Sequence, residues 1–316
     1  MQPAQRRTMP EPELHEVADG VFAYVQPDGG WMLNNTGLVL DGAGGHVLVD
    51  TTSTEARNRA LLARVAEVAG EGPPRALVNT HHHGDHTYGN RLLPAATPVI
   101  GHVHCREDVL AAGLVAAEVL SGPAYGELRL RPPELTFETR MALHTGERRI
   151  DLLHAGPAHT RGDVIAWLPE ERVAFAGDVV VNGGQPFLVE GSVAGHPRAL
   201  AMLRELDPLV LVPGHGPICR GEEVRRVLDD LVGYAALVDG LARYGHKTGA
   251  PPLTMARAAA RELGPFSDWT ESERLVGNLH RAYHELDGNP PGSPLALARV
   301  WPDMVTVNGG PILSNA

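Results

Sequence analysis

The 316-residue chain is short of cysteine, of aromatic residues, of basic charge and of long apolar runs. Each shortage excludes something. Cys105 and Cys219 are the only two cysteines, so no disulfide framework can hold the fold, and two reduced thiols are expected. Aromatics make up only 5% against 43% hydrophobic residues, so a packed core has to rest on Leu, Val and Ala. Lys and Arg number 27 against 38 Asp and Glu, a formal net charge of −11. That balance argues against nucleic-acid binding, which needs a basic face. It leaves an anionic small substrate open, because bound metal ions override the local field. No apolar run is long enough to span a bilayer, so no membrane partner is expected. The opening MQPAQRRTMPEPELHEV has an Arg pair but no apolar stretch of signal-peptide length behind it. The expectation is a cytoplasmic protein.

Residues 1–12 are polar and Pro-rich and read as a flexible tail. From Val21 the segments VFAYV, TGLVL and HVLVD read as strands between Gly-rich turns. Residues 54–69 place Leu61, Leu62, Val65 and Val68 at helical spacing. ALVNT (76–80) reads as a buried strand, PVIGHV (98–103) as another, and 106–120 as a helix. A second strand-rich half follows with ELTFE, RMALH, RRIDLLH, DVIAWLP and RVAFAG. A helix over 197–206 then leads to LVLVP. Two strand-then-helix halves suggest a pseudo-duplicated α/β sandwich, although no close sequence repeat accompanies it. The core is assigned to 13–221. Residues 222–316 read as a mainly helical extension that returns to the core at its end. Within it, 222–245 has a helical apolar pattern, Thr270-x-x-Glu273 resembles a capping box, and 290–294 is a Pro-rich break. Such an extension suits either a cap over an active site or a packing or dimerisation layer, so a homo-oligomer is left open.

The chemistry concentrates in Thr80-His81-His82-His83-Gly84-Asp85-His86, directly after an apolar strand. Imidazole and carboxylate are natural ligands of zinc and related divalent ions. A loop leaving a strand can aim alternate residues at one point, so His81 and His83 suit one ion while Asp85 and His86 suit a neighbour. Three further donors stand at the ends of strand-like runs: His159 in Pro157-Ala158-His159, Asp178 in Ala176-Gly177-Asp178 and His215 in Pro213-Gly214-His215.

These residues resemble the ligand pattern of the metallo-β-lactamase superfamily. Its hallmark His-x-His-x-Asp-His is matched by His81, His83, Asp85 and His86, and its downstream markers by His159, Asp178 and His215. The resemblance covers about residues 14–220. It implies an αββα sandwich with two divalent metal ions at one edge: His81, His83 and His159 on the first, Asp85, His86 and His215 on the second, and Asp178 bridging both. Zinc is the default, and a bridging carboxylate also tolerates iron or manganese. Classical zinc β-lactamases usually carry Cys where Asp178 stands, so the resemblance points to the thioesterase, lactonase and glyoxalase II-like branches. A narrower resemblance, carried by GGWMLNNTGLVL, RPPELTF, GPAHTRGDVIAWLPEERVAFAGDVV, GSVAG and ERLVGNLHRAYHEL, is to second-ring cyclases of aromatic polyketide pathways. It implies a metallo-β-lactamase-type thioesterase acting on a polyketide tethered to an acyl carrier protein.

In that chemistry two cations lower the pKa of a bound water from 15.7 to roughly 7 and stabilise an oxyanion or enolate. Asp85 is the candidate base that orients the water. The same contacts serve thioester hydrolysis and ring closure. The alternatives are a generalist thioesterase or lactonase and a metal-binding protein without catalysis. Weaker candidates surround this set. Asp163 is assigned to a turn rather than to a ligand, and His82 points away from its neighbours. His280 and His284 lack the carboxylate motif that accompanies a helical zinc pair. Trp31, Tyr88, Tyr125, Phe187 and Trp301 suit either core packing or an aromatic-substrate pocket, and 182–185 could border the site. Arg220, Arg225 and Arg226 form a candidate basic patch for an acidic carrier protein.

Overall fold

The computed structural model describes residues 10–260 and 263–316. Residues 1–9 of the expected tail lie outside that range, and the chain enters its first strand at Glu13. Seven strands form one sheet in sequence order: β1 (Glu13–Ala18), β2 (Val21–Val25), β3 (Thr36–Leu40), β4 (His46–Val49), β5 (Ala76–Val78), β6 (Val99–His102) and β7 (Leu135–Phe137). β1 to β4 are antiparallel neighbours, and β4 to β7 run parallel. The second sheet holds β8 (Arg140–Thr145), β9 (Arg148–His154), β10 (Val164–Leu168), β11 (Val173–Phe175), β12 (Val210–Val212) and β13 (Cys219–Arg220). The run ELTFE, read with the second half, therefore closes the first sheet as β7, parallel to β6. β1 has no counterpart in the sequence reading. Its burial alternates weakly along ELHEVA, as suits an edge strand.

The two sheets face each other because side chains alternate along every strand. Val21, Ala23, Val47, Val49, Ala76 and Val78 point from the first sheet into a shared core with Ile150, Leu152, Val164, Ala166 and Phe175 from the second. Gly37 makes room for the Phe175 ring, since a Cβ there would lie 2.6 Å from it. The outer face of the first sheet, with Leu38, Leu48 and Leu77, is covered by Leu61 and Val65 of α1 (Glu55–Ala69). Thr54 caps α1 by accepting from Arg57 N, a contact worth ~1 kcal/mol. Between the sheets' strands the chain forms the single turn α2 (Gly84–Thr87), then α3 (Val103–Ala112) and α4 (Val115–Val119). The single helix expected over 106–120 is split at Gly113, whose φ of +60° ends α3.

The outer face of the second sheet is covered by α5 (His196–Leu206) and by Val224, Val227, Leu228 and Leu231 of α6 (Glu222–Thr248). The result is a four-layer αββα sandwich. α6 has 27 residues, about 40 Å of helix, and its second half leaves the sheet to join α7 (Pro252–Ala259), α8 (Arg274–Leu286) and α9 (Leu297–Asn308). The capping box expected at Thr270 and Glu273 does not form. Thr270 pairs with Gly184 in an isolated bridge, and Glu273 turns away to accept from Trp31 Nε1 at 2.6 Å. Among the described residues no helix is long and apolar enough to cross a membrane, and Cys105 and Cys219 are buried and unpaired.

Candidate metal centre

The donors arrive from strand ends. β5 stops at Val78, and Asn79 and Thr80 lead the chain over the sheet edge into His81, His82, His83 and the turn α2. The loop is fixed from below. Asn79 Nδ2 donates to His86 O at 3.0 Å, and Asn90 Nδ2 donates to Asn79 Oδ1 at 2.7 Å. His159 follows β9 and precedes β10, Asp178 follows β11, and His215 follows β12. Gly214 is required beside Asp178, because a Cβ there would run into the Asp178 carboxylate.

All seven donors named from the sequence are brought together. His159 Nε2 lies 3.2 Å from His81 Nε2, 2.9 Å from His83 Nδ1 and 3.4 Å from Asp178 Oδ2. His215 Nε2 lies 3.2 Å from Asp85 Oδ2 and 3.3 Å from Asp178 Oδ2. His86 Nε2 lies 3.1 Å from Asp178 Oδ1 and 3.8 Å from Asp85 Oδ2. A tetrahedral ion with bonds near 2.0–2.1 Å holds its donors about 3.3–3.4 Å apart. The donors group as His81, His83, His159 and Asp178, and as Asp85, His86 and His215. Buried His86 Nε2 and Asp178 Oδ1 have no hydrogen-bond partner despite facing one another. Two divalent ions fit this arrangement: they would take up the facing lone pairs and offset the charge of the buried carboxylates.

Two residues the sequence reading missed hold the donors in place. Asp50, just past β4, accepts from Thr80 N at 2.7 Å and from Thr80 Oγ1 at 2.6 Å, and it meets His86 Nδ1 at 2.8 Å. Glu190 Oε2 meets His83 Nε2 at 2.7 Å and His82 Nε2 at 3.6 Å. Carboxylates behind ligand imidazoles fix ring orientation and raise ligand basicity. Asp50 stands after HVLV as Asp178 stands after RVAF, so the strand-end signal was available for it. Glu190 had none, since it lies in an irregular segment. α8 holds that segment: Asn278 Nδ2 donates to Pro186 O and Arg281 donates to Val189 O.

The electrostatics without metal are those of a crowded cation site. Burial, reinforced by the neighbouring imidazoles, holds His81 well below its usual pKa, and burial does the same to His159. Burial also works against charged His86 and His215, but Asp178 and its neighbours outweigh it. His86 is raised well above its usual value and His215 is pushed up to about 9. Asp85 is held down to about 2, where His86 and His215 overcome its burial. Burial raises Asp163 to about 7 against hydrogen bonds from Thr160, so it anchors the turn after His159 rather than reaching the centre.

The cluster opens into a cleft of about 790 Å³, solvent at its mouth included. Its apolar wall includes Trp31, Met32, Tyr88, Phe187 and Trp301. Trp31 meets Phe187 and Trp301 edge-on, with centroids 5.3 and 6.2 Å apart. Tyr125 packs on Tyr88 at 6.4 Å, outside this wall. Of 182–185, Gln185 accepts from Tyr234 OH at 2.8 Å and Asn182 donates to Pro217 O, so the stretch joins the core to the helical layer. His280 meets Asp303 and His284 meets Ser293, so the two do not converge on one point. Arg225 and Arg226 are paired with Glu222 and Glu223 on α6, and none of the three basic-patch residues lines the cleft.

The family model described as the metallo-β-lactamase superfamily matches residues 29–215. A hydroxyacylglutathione hydrolase of Brucella anthropi is 26% identical over 203 residues, 62% of this chain and 68% of the relative. One of Synechococcus sp. (strain JA-3-3Ab) is 27% identical over 234 residues, 71% and 79%. One of Thermosynechococcus vestitus is 31% identical over 148 residues, 46% of this chain and half of the relative. Among solved structures, TMB-1 superposes with a TM-score of 0.58 at 19% identity over 72% of this chain and 100% of that one. A metallo-β-lactamase from Pontibacter korlensis gives 0.55 at 21%, over 70% and 99%. The layered sandwich, the donors at its edge and the match over most of the core give one conclusion: the chain is a metallo-β-lactamase-fold hydrolase and belongs to the metallo-β-lactamase superfamily.

Proposed function

We propose that the chain is a two-metal hydrolase of thioesters. The observation that carries this reading is the convergence of seven donors, six of them buried and His83 half-buried, on two adjacent points at the floor of an apolar cleft. The relatives named as hydroxyacylglutathione hydrolases support it. His81, His83 and His159 would hold one ion and Asp85, His86 and His215 the other, with Asp178 beside both groups. Bound divalent ions supply Lewis acidity and an acidified water at neutral pH. Asp85, at the edge of the second donor group, would orient that water and act as its base. Glu190 and Asp50 keep the rings of His83 and His86 aimed at the ions. The aromatic wall seats the acyl group and excludes bulk water from the scissile carbonyl.

A second reading is ring closure on an aromatic polyketide tethered to an acyl carrier protein. One observation favours it: Trp31, Phe187 and Trp301 put three aromatic rings on the cleft wall, a surface suited to a planar aromatic body. One experiment separates the two. The metal-loaded protein is offered lactoyl-glutathione, an arylacyl thioester and a carrier-bound poly-β-ketone, with thiol release and product masses recorded. Thiol release from the simple thioesters supports hydrolysis. Cyclised product from the carrier-bound substrate alone supports the second reading. No turnover of any thioester with two metals bound overturns both.

A further inference from the structure

Arg274 opens α8 beside the cleft, outside the residues 29–215 that the family model matches. It is only 2% exposed. Its guanidinium carbon lies 4.1 Å from the centroid of the Trp31 ring. Nη1 donates to Gln185 O at 3.0 Å, and buried Nε has no partner. Among the described residues no carboxylate forms an ion pair with it. The acid next to it, Glu273, accepts from Trp31 Nε1, and Glu271 accepts from Thr270 Oγ1. The supports are themselves fixed: Tyr234 donates to Gln185, and Glu273 sets the plane of Trp31.

A buried cation without a direct ion-pair partner is costly, and the guanidinium fork matches a carboxylate bidentately. The fold spends two supports on holding this cation in the wall of the cleft that the metal donors floor. We propose that Arg274 is the anchor for a carboxylate on the acyl group of the substrate. The substrate class narrows to thioesters whose acyl part has an aromatic or planar body, lying along Trp31 and Phe187, and an acidic end. This rests on the thioester reading, and the test separates the two.

The test compares the N-acetylcysteamine thioesters of phenylacetate and 4-carboxyphenylacetate in the metal-loaded protein and in Arg274→Met and Arg274→Lys. The native protein is expected to favour the carboxylated thioester in kcat/KM by about tenfold or more, the scale of a charge-assisted pair. Arg274→Met should bring that ratio to about one, and Arg274→Lys should restore part of it, since Lys keeps the charge and loses the fork. Binding of the two free acids, followed by tryptophan fluorescence, gives a readout independent of turnover. Tighter binding of the dicarboxylate by the native protein but not by Arg274→Met upholds the anchor even if no thioester is hydrolysed, and then only the hydrolase reading falls. Hydrolysis without preference in the native protein, or a preference that survives in Arg274→Met, overturns the anchor.

Discussion

The two ends of the cleft are built on opposite terms. The metal end is polar and made by loops that leave strands β5, β9, β11 and β12, with Asp50 and Glu190 holding the rings of His86 and His83. The other end is mainly apolar: Trp31, Met32 and Phe187 and the segment of α3 and α4 supply most of it, and α8 and α9 add Arg274, Leu297 and Trp301. The first end tolerates no movement, because its donors must stay within a few tenths of an ångström of a coordination geometry. The second presents an apolar surface with one buried charge, Arg274. The metal donors therefore belong to the sandwich alone, whereas the cleft wall is shared between the sandwich and the helical layer.

Changes at the metal end should cost the most. Asp178→Ala removes the carboxylate facing both donor groups, so metal content should fall and kcat/KM should drop about thousandfold or more, ~4 kcal/mol of barrier. Metal analysis beside thioester kinetics checks this, and unchanged metal content would break the comparison. Metal uptake should also depend on pH. His215, at about 9 in the metal-free protein, carries a proton below that value, and an incoming cation must displace it. His86 is raised well above its usual value as well, so apparent zinc affinity should rise with pH by about tenfold per unit or more from roughly pH 7 to 9. Competition with a chelator across that range reads it out, and a flat profile contradicts the assignment.

Glu190→Gln probes the point where the two ends touch. Its carboxylate braces His83, while α8 braces its segment. Affinity for one ion should weaken by about 10–100-fold while the other is retained. Equal loss of both ions would show that Glu190 supports the fold rather than one ring. The smallest effect is expected at the apolar end. Trp301→Ala should lower kcat/KM for an arylacyl thioester by about tenfold or less and leave an acetyl thioester and the metal content unchanged.

The same contrast governs what the sequence made legible. The seven donors stand at strand ends, where alternation and Gly-containing turns mark them, and all seven meet. Asp50 carries the same mark, but its partners Thr80 and His86 lie 30 and 36 residues further on, and only the folded sheet brings them together. Glu190 was not legible. Its segment has no periodicity, and its partner is the second nitrogen of a ring whose orientation only the folded site sets. The helical layer was legible as helices but not as function. Thr270 and Glu273 read locally as a cap, yet tertiary contacts with Gly184 and Trp31 took both residues. The place of β7 in the first sheet follows from parallel pairing with β6, which local patterning does not encode.

The central claim is that a thioester is cleaved by two metal ions held by these seven side chains. It is tested most directly by titrating the metal-free protein with zinc while following thiol release from an arylacyl thioester. The account predicts no release without metal and activity that saturates at two equivalents. Thiol release by the metal-free chain, or two bound equivalents with no release, would contradict it.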